Sequence, residues 1–322
     1  MKGSELFSRV GLFLLVVLVA GALVTVPVQM GQSESTSTPQ ITVESHQPEN
    51  ILVEAPDETG SIEIDEADES KHIVFDASHG NSVDRSAVSP VVDALTSNGH
   101  TVSFYAGDRT ASINKTLRTA DSFVIMSPQE SYTASERAGL EAFTDAGGHL
   151  LLAGEPPSQG SAITSLLGLG TMTTSSAAPL NGVAAPFGLS FSDGYVYDLE
   201  EYDNNYRNVY TQPTESSFAS TDSSVTVHEA TPVTGGEAIL ETQSTAKLSS
   251  NREAESYTVA AQSGEVVAIG DTSIFNSEWV ERNDNENFVS SVIEYLLDSD
   301  KEPGEPAPPE PTQSPSPGSS LP

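Results

Sequence analysis

Cysteine is absent from the 322-residue chain. This absence excludes disulfide bonds, thiolate metal sites, lipid attachment at a cysteine and a cysteine nucleophile. A zinc or iron site would need histidine and carboxylate ligands alone. The chain also lacks a Gly-x-Ser-x-Gly elbow, a His-Glu-x-x-His pair and a phosphate-binding Gly-x-x-x-x-Gly-Lys loop. The sequence therefore predicts no metal, no cofactor and no recognised catalytic set.

Basic residues are scarce. The chain has 13 Lys plus Arg against 46 Asp plus Glu, which gives a formal net charge of -33. The acidic excess extends into segments that are expected to fold, such as 198–201. Such a surface is similar to that of haloarchaeal proteins, because high salt screens the self-repulsion while the charge maintains solubility. An ordinary acidic protein is the alternative. Either way, this field repels DNA and RNA, and we expect no nucleic-acid partner.

A single long apolar run occurs near the N-terminus. Residues 10–28 read VGLFLLVVLVAGALVTVPV, and no charged residue lies between Arg9 and Glu34. A helix of this length covers about 28 Å, close to the bilayer core of about 30 Å. Lys2 and Arg9 precede the run, so the positive-inside rule predicts a single-pass anchor with residues 1–9 in the cytoplasm and the main domain outside the cell membrane. A cleaved signal peptide is the alternative, and it also delivers the domain outside.

The remaining chain divides by composition. Residues 29–70 form an acidic, Ser/Thr-rich stalk, and residues 299–322 form a Pro-rich tail that we expect to be disordered. Between them, residues 71–298 are predicted to be one α/β domain. Within it, the region of about 170–255 is rich in Ser, Thr, Asn and Tyr, and we expect an irregular, partly β insertion there.

Strands alternate with helices over the rest of the domain. The predicted strands include 72–76, 101–106, 122–127 and 149–153, with 256–262 and 265–270 paired around Ser263-Gly264. The predicted helices include one that opens with a capping box at Thr133 and Glu136, and one at 285–298. This order predicts a parallel sheet flanked by helices.

Polar side chains follow several of these strands. In open α/β sheets, ligands bind beyond the carboxyl ends of the strands. We therefore expect a ligand-site edge there, and its members are Asp76, His79, Gly80, Asn81, Ser127, Glu155, Asp271 and Asn276.

Each member also has a structural explanation. Asp76 and Asn81 could cap the next helix or close the loop, and Gly80 could supply a positive φ. Asp271 could tie a loop through backbone N–H groups. His79 is the histidine at a strand-to-helix mouth, but a lone histidine is a weak signal for a general base.

An ordered series of short motifs resembles a known family. The series is Ile73-Val-Phe-Asp76-Ala-Ser-His79-Gly80-Asn81, then Gly147-Gly148-His-Leu-Leu-Leu, Gly270-Asp271, Phe275-Asn276 and Asn285-x-Asn287-Phe288. Over about residues 72–160 and 256–298 it is similar to the domain-of-unknown-function 4350 (DUF4350) family of archaea and bacteria. It also resembles the related auxiliary domain of gliding-motility-type ABC transport systems.

The resemblance implies a flavodoxin-like fold of the class I glutamine amidotransferase type. In true amidotransferases a cysteine sits on the elbow after the strand that corresponds to 149–153. Here that turn reads Gly154-Glu155-Pro156, so thiol-based amide hydrolysis is excluded. The resemblance further implies partnership with a membrane protein complex, such as ABC transporter components.

Three functions follow as expectations. The first is a membrane-anchored, extracytoplasmic, non-catalytic binding or accessory domain that serves a transport or envelope system. The second is a hydrolase that uses carboxylates and His79 on cell-surface glycans or esters. A third reading is a surface-structural protein whose insertion presents an adhesive face of tyrosines.

Overall fold

The computed structural model describes residues 60–65, 69–81, 83, 86–107, 112–156, 177–215, 217–219, 221 and 223–307. All of them belong to one unit, Pro56–Pro322. The predicted anchor at 10–28 and the end of the predicted tail lie outside the described residues. Within those residues, no helix combines the length and the apolar composition that crossing a bilayer requires.

The first half of the domain alternates strands and helices, as the sequence predicts. Helix α3 (Ala134–Asp145) begins at the expected capping box, where the Thr133 side chain accepts from the Glu136 N–H and the Glu136 side chain accepts from the Thr133 N–H. In chain order the elements are β1 (His72–Asp76), α1 (Ser89–Ser97), β2 (Thr101–Tyr105), α2 (Ile113–Leu117), β3 (Ser122–Met126), α3 (Ala134–Asp145) and β4 (His149–Ala153).

The second half is mainly β. Its last two strands form the predicted hairpin, and the predicted C-terminal helix follows them. The elements are α4 (Ala178–Ala184), β5 (Ser190–Phe191), β6 (Val196–Tyr197), β7 (Asn208–Pro213), β8 (Val225–His228), β9 (Val233–Thr234), β10 (Glu237–Thr242), β11 (Lys247–Leu248), β12 (Thr258–Ser263), β13 (Val266–Ile269) and α5 (Asn285–Leu297).

The main sheet has nine strands in the order β2-β1-β3-β4-β13-β12-β10-β7-β8. The first five are parallel to one another, and the last four are antiparallel to their neighbours. The predicted parallel sheet is therefore one half of a larger mixed sheet, because the predicted hairpin at Ser263 and Gly264 reverses the chain between β12 and β13, and the strands beyond β12 also pair antiparallel.

The region predicted as an irregular insertion contains more regular structure than expected. β7, β8 and β10 extend the main sheet, and β5 with β9 and β6 with β11 form two small ladders. The sequence does not predict these strands because buried threonines interrupt the alternation of apolar and polar residues that indicates a strand. Thr211 is completely buried in β7, and its hydroxyl donates to the Val225 carbonyl at 2.9 Å. That bond offsets the cost of burying a hydroxyl, so a polar residue can take a core position.

The main sheet buries both faces. One face packs Phe75 and Ile269 against α1 and α5, and the other packs Val74 and Ile125 against α2, α3 and α4. The core also receives residues from beyond the elements. Ile62 and Ile64, within the predicted stalk, pack against the first face, and the hydroxyl of Ser299 donates to backbone carbonyls.

Candidate functional site

The strands that carry the predicted site residues are neighbours. β1, β3, β4 and β13 stand side by side and parallel, so their carboxyl ends share one edge, as the sequence predicts. The side chains at that edge nevertheless form two separate groups. No hydrogen bond or ion pair between described residues joins Asp76 and His79 to Glu155 and Asp271. Side-chain alternation explains the separation, because Val74 and Ile269, two residues before Asp76 and Asp271, pack on opposite faces of the sheet.

The first group surrounds Asp76, which ends β1 and is fully buried. Its Oδ1 accepts from the Ser78 N–H at 2.7 Å and from the Ser78 hydroxyl at 2.5 Å. Its Oδ2 lies 3.1 Å from His79 Nδ1 and also accepts from the Tyr132 hydroxyl. Burial raises the pKa of Asp76, but the hydrogen bonds from His79, Ser78 and Tyr132 outweigh it, so the pKa lies below its ordinary value. Asp76 is therefore a buried carboxylate that ties the loop after β1.

His79 is held on every side. Its Nδ1 is engaged by Asp76, its Nε2 lies 3.5 Å from Glu136 Oε1, and its ring stacks on Tyr132 at 3.9 Å between centroids. The hydrogen bond to Asp76 raises the pKa of His79 above its ordinary value; burial opposes this, and the charges of Asp76 and Glu136 add to it. With both ring nitrogens engaged by carboxylates, His79 is a poor general base.

Gly80 and Asn81 complete this loop. Gly80 has a φ of 64°, the left-handed conformation expected for it. The Asn81 side chain accepts from the Met126 N–H at 3.0 Å and donates to the Ser78 carbonyl, so it fastens the β1 loop to the end of β3.

Ser127 follows β3 in a strained conformation. Its φ is 45°, unusual for a residue with a Cβ, and its buried hydroxyl has no hydrogen-bond partner among the described residues. Such a position costs free energy in both the backbone and the side chain. Among the predicted site residues, Ser127 is thus the one whose side-chain hydroxyl forms no hydrogen bond with the described part of the chain.

The second group joins Glu155 and Asp271, which follow β4 and β13. Asp271 is buried; its Oδ1 accepts from the N–H and hydroxyl of Ser273, and its Oδ2 accepts from the His228 N–H at 2.7 Å. Glu155 Oε1 accepts from the N–H of Thr272 at 2.9 Å and from its hydroxyl. Both carboxylates therefore tie loops, the structural role that the sequence left open for Asp271.

Burial raises the pKa of Glu155 to about 7, and the charge of Asp271 adds to this, while hydrogen bonds from Thr272 oppose it. Burial raises the pKa of Asp271 as well. Two carboxyl groups that share a buried site retain a proton near neutrality. The Glu155–Asp271 pair can therefore take up and release a proton near neutral pH, and this is the main chemistry that the edge offers.

Asn276 stands apart from both groups. It follows the short 3₁₀ turn Ser273–Phe275, and its side chain accepts from the backbone N–H groups of Glu278 and Trp279 at 2.9 and 3.1 Å. It starts the next turn. Among the described residues, no cluster of His, Asp and Glu has the arrangement of a metal site.

Sequence reasoning missed Tyr132 and His228 as members of these groups. Tyr132 directly precedes the capping box of α3, a position that often packs back onto the first helical turn. That position is a usable signal for burial, but the bond to Asp76 depends on how β1 and β3 are aligned. His228 donates its backbone N–H to Asp271, and a backbone contact of this kind has no side-chain pattern that would predict it.

Comparisons with solved structures support the fold. The mmIFT52 N-terminal domain is similar with a TM-score of 0.52 and 14% sequence identity, covering 71% of this chain and 99% of that one. Alpha-L-fucosidase isoenzyme 2 from Paenibacillus thiaminolyticus is similar with a TM-score of 0.40 and 13% identity, covering 71% of this chain and 33% of that one. At these identities the first likeness concerns the fold alone, and the second carries no argument. Comparison with curated proteins finds no match.

A family model supplies the relationship. The model described as "Domain of unknown function (DUF4350)" matches residues 91–293, which include Ser127, Glu155, Asp271 and Asn276 but begin after the loop that follows β1. Because the match covers more than half of the 322 residues, the chain belongs to the DUF4350 family.

Proposed function

We propose that the chain is a membrane-anchored, non-catalytic binding or accessory domain that works outside the cell as an auxiliary component of a transport or envelope system. One observation carries the proposal: the groups best suited to catalysis are engaged by the chain itself. Asp76 and His79 hold each other, and Asp271 and Glu155 accept from backbone N–H groups. In a catalytic Asp–His pair the second ring nitrogen faces the nucleophile or the substrate, whereas the second ring nitrogen of His79 faces Glu136.

The strand order supports the finer fold assignment. The five parallel strands are β2, β1, β3, β4 and β13 in spatial order. If β13 is counted as the fifth parallel strand of the chain, this order is 2-1-3-4-5, which is that of flavodoxin-like sheets. In such sheets the edge between the first and third strands is the usual ligand crevice, and here the His79 loop and Ser127 follow those two strands. We infer a fold of the glutamine amidotransferase type in which Gly154 and Glu155 occupy the elbow and no cysteine is present.

The apolar N-terminal segment and the net charge support the proposed location of the domain outside the cell membrane. Residues 10–28 are long and apolar enough to span a bilayer, with Lys2 and Arg9 before them. A net charge of -33 suits a surface exposed to concentrated salt, as in haloarchaea.

The placement is tested on intact cells. We expect protease added outside to remove the domain, and the full chain to stay in membranes washed with concentrated salt. Release of the full chain by the wash, or protection from protease in intact cells that lyse normally afterwards, would contradict the placement.

The accessory role is tested by co-purification from native membranes in high salt. We expect the tagged full chain to recover a reproducible membrane-protein partner, whereas an unrelated single-pass protein with the same tag does not recover it. Repeated recovery of the chain alone would count against the proposal.

A hydrolase is the second candidate, and the Glu155–Asp271 pair favours it, because a carboxyl group with a pKa of about 7 can act as acid and base near neutrality. A panel of chromogenic glycosides and esters, assayed with the Asp76→Ala, His79→Ala and Glu155→Gln variants, tests it. Turnover that Glu155→Gln abolishes would favour the hydrolase. Turnover that survives all three changes would remove these residues from the mechanism.

A further inference from the structure

The loop 198–207, between β6 and β7, concentrates the exposed hydrophobic surface of the described chain. The large hydrophobic side chains that are exposed there are Leu199 at 59%, Tyr202 at 41% and Tyr206 at 39%. All three lie in this one loop. Large apolar side chains gathered at one place on a protein surface mark interaction sites more often than scattered ones do.

The loop is held rigidly. Asp198 is fully buried, and its carboxylate accepts from the N–H groups of Glu200 and Glu201 and from the Thr245 hydroxyl. At the other end, the Asn208 side chain donates to the Asp203 carbonyl at 2.8 Å, and Arg282 pairs with the Asp203 carboxylate at 3.2 Å. A loop fixed in this way presents its side chains without a large ordering cost on binding.

Two tyrosines, one before the loop and one within it, already bind a guanidinium group of the chain itself. Arg207 lies over the rings of Tyr195 and Tyr206, 5.1 and 5.5 Å from their centroids, and pairs with Glu229. These are the elements that recognise an arginine: aromatic faces together with a carboxylate. Tyr202 offers a further exposed ring, and the exposed side chains of Glu200 and Glu201 have no ion-pair partner among the described residues.

The ring geometry argues against a flat sugar-stacking platform. The Tyr195 and Tyr197 planes are inclined at 60°, and those of Tyr197 and Tyr206 at 90°. The net charge of -33 also favours a basic partner over an acidic one.

We infer that the 198–207 loop is a docking surface for an arginine-presenting segment of a partner protein, whose guanidinium groups lie against Tyr202 beside Glu200 and Glu201. This inference rests on the proposed accessory function and names the surface that it uses. Stacking and desolvated contacts make the interaction less sensitive to salt than charge attraction alone.

A direct binding measurement uses the purified full chain in concentrated salt and three synthetic peptides. Their sequences alternate serine with arginine, with lysine, or with citrulline, the uncharged counterpart of arginine. We expect the arginine peptide to bind more tightly than the lysine peptide, because guanidinium stacks on aromatic faces, and the citrulline peptide to bind least.

Paired variants identify the surface. The double variant Leu199→Ser/Tyr202→Ser is expected to weaken arginine-peptide binding about tenfold, whereas Tyr202→Phe keeps the ring and retains binding. Glu141→Gln/Asp145→Asn removes two exposed acidic side chains from α3 and is expected to leave binding within about twofold. Circular dichroism checks that each variant is folded.

Three results would overturn the inference: equal binding of the arginine and citrulline peptides, equal losses in the loop and α3 variants, or loop-dependent binding of a neutral oligosaccharide in place of the peptide. Co-purification separates this inference from the proposed function. A partner recovered equally by the wild type and the loop variant leaves the function standing and removes the surface. Arginine binding that depends on the loop, without any membrane partner in the co-purification, leaves the docking surface standing and removes the proposed function.

Discussion

Glu155 and Asp271 place two carboxyl groups side by side at the ends of adjacent strands. The folded pKa of Glu155, about 7, lies above its ordinary value of 4.5. The folded state therefore binds more protons than the unfolded state between these values, and stability falls as pH rises through this window. Below pH 4.5 Glu155 is protonated in both the folded and the unfolded state, so its ionisation no longer lowers the stability of the fold.

Replacing Glu155 by glutamine removes this titration. We expect Glu155→Gln to flatten the fall of unfolding free energy between about pH 4.5 and 7, and to gain about 2 kcal/mol on the wild type at the upper end. Urea unfolding in concentrated salt across this range measures it. Parallel pH profiles for the wild type and the variant would contradict the prediction.

Asp271→Asn is the matched control. It removes the charge repulsion but not the burial of Glu155, which is the larger cause of the raised pKa, so it flattens the same profile only in part. Its amide cannot accept from both the Ser273 and His228 N–H groups as the carboxylate does, so it is expected to be less stable than Glu155→Gln throughout.

Gly270 directly follows β13 and lies against the segment between β8 and β9. Its carbonyl accepts from the Thr231 N–H at 2.7 Å, and a Cβ added to it would lie 1.8 Å from the Thr231 carbonyl oxygen. The obstacle is backbone and cannot rotate away. Gly270→Ala is therefore expected to cost about 2–3 kcal/mol of unfolding free energy.

Gly182→Ala is the control for this change. Gly182 lies in α4 with nothing within 4 Å of an added Cβ, so alanine there is expected to be neutral or stabilising by up to about 1 kcal/mol. Thermal unfolding of both variants makes the comparison. Equal stability of the two would show that the approach at Thr231 does not constrain the fold.

The elements differ in how far the sequence predicts them. Strands β3 and β4 carry the continuous apolar runs 123–126 and 150–153, and α3 carries its own capping box, so local pattern suffices. β7 and β8 bury Thr211 and Thr226; the Thr211 hydroxyl donates to the paired strand at Val225, and the Thr226 hydroxyl accepts from the Asn283 side chain, 57 residues away. Their place in the main sheet depends on long-range pairing, which local periodicity does not encode.

The same limit applies to the candidate site. The sequence correctly brings Asp76, Ser127, Glu155 and Asp271 to one edge, because parallel neighbours end together. It does not predict that they divide between the two faces. That division depends on the strand register and on partners such as Tyr132, 56 residues from Asp76 along the chain.

At the scale of the whole molecule, the acidic charge is largely uncompensated. The ion pairs among the described residues that involve arginine are those of Arg207 with Glu229 and Arg282 with Asp203. Two such pairs involve only two of the 46 Asp and Glu residues of the chain. Folding brings these charges together, so self-repulsion opposes the compact state until salt screens it.

We therefore expect the unfolding midpoint to rise steeply as potassium chloride increases from about 0.1 M, where the screening length is about 10 Å, to about 1 M, where it is about 3 Å. A variant in which the exposed Glu200, Glu201, Glu237 and Glu253 are glutamine should reach the same midpoint at lower salt. Salt can also stabilise by strengthening apolar burial, which is greater for sulfate than for chloride and does not depend on these carboxylates. If the variant and the wild type respond to potassium chloride identically, screening of surface charge is not the cause. If the variant requires less salt, the acidic surface itself sets the salt requirement of the fold.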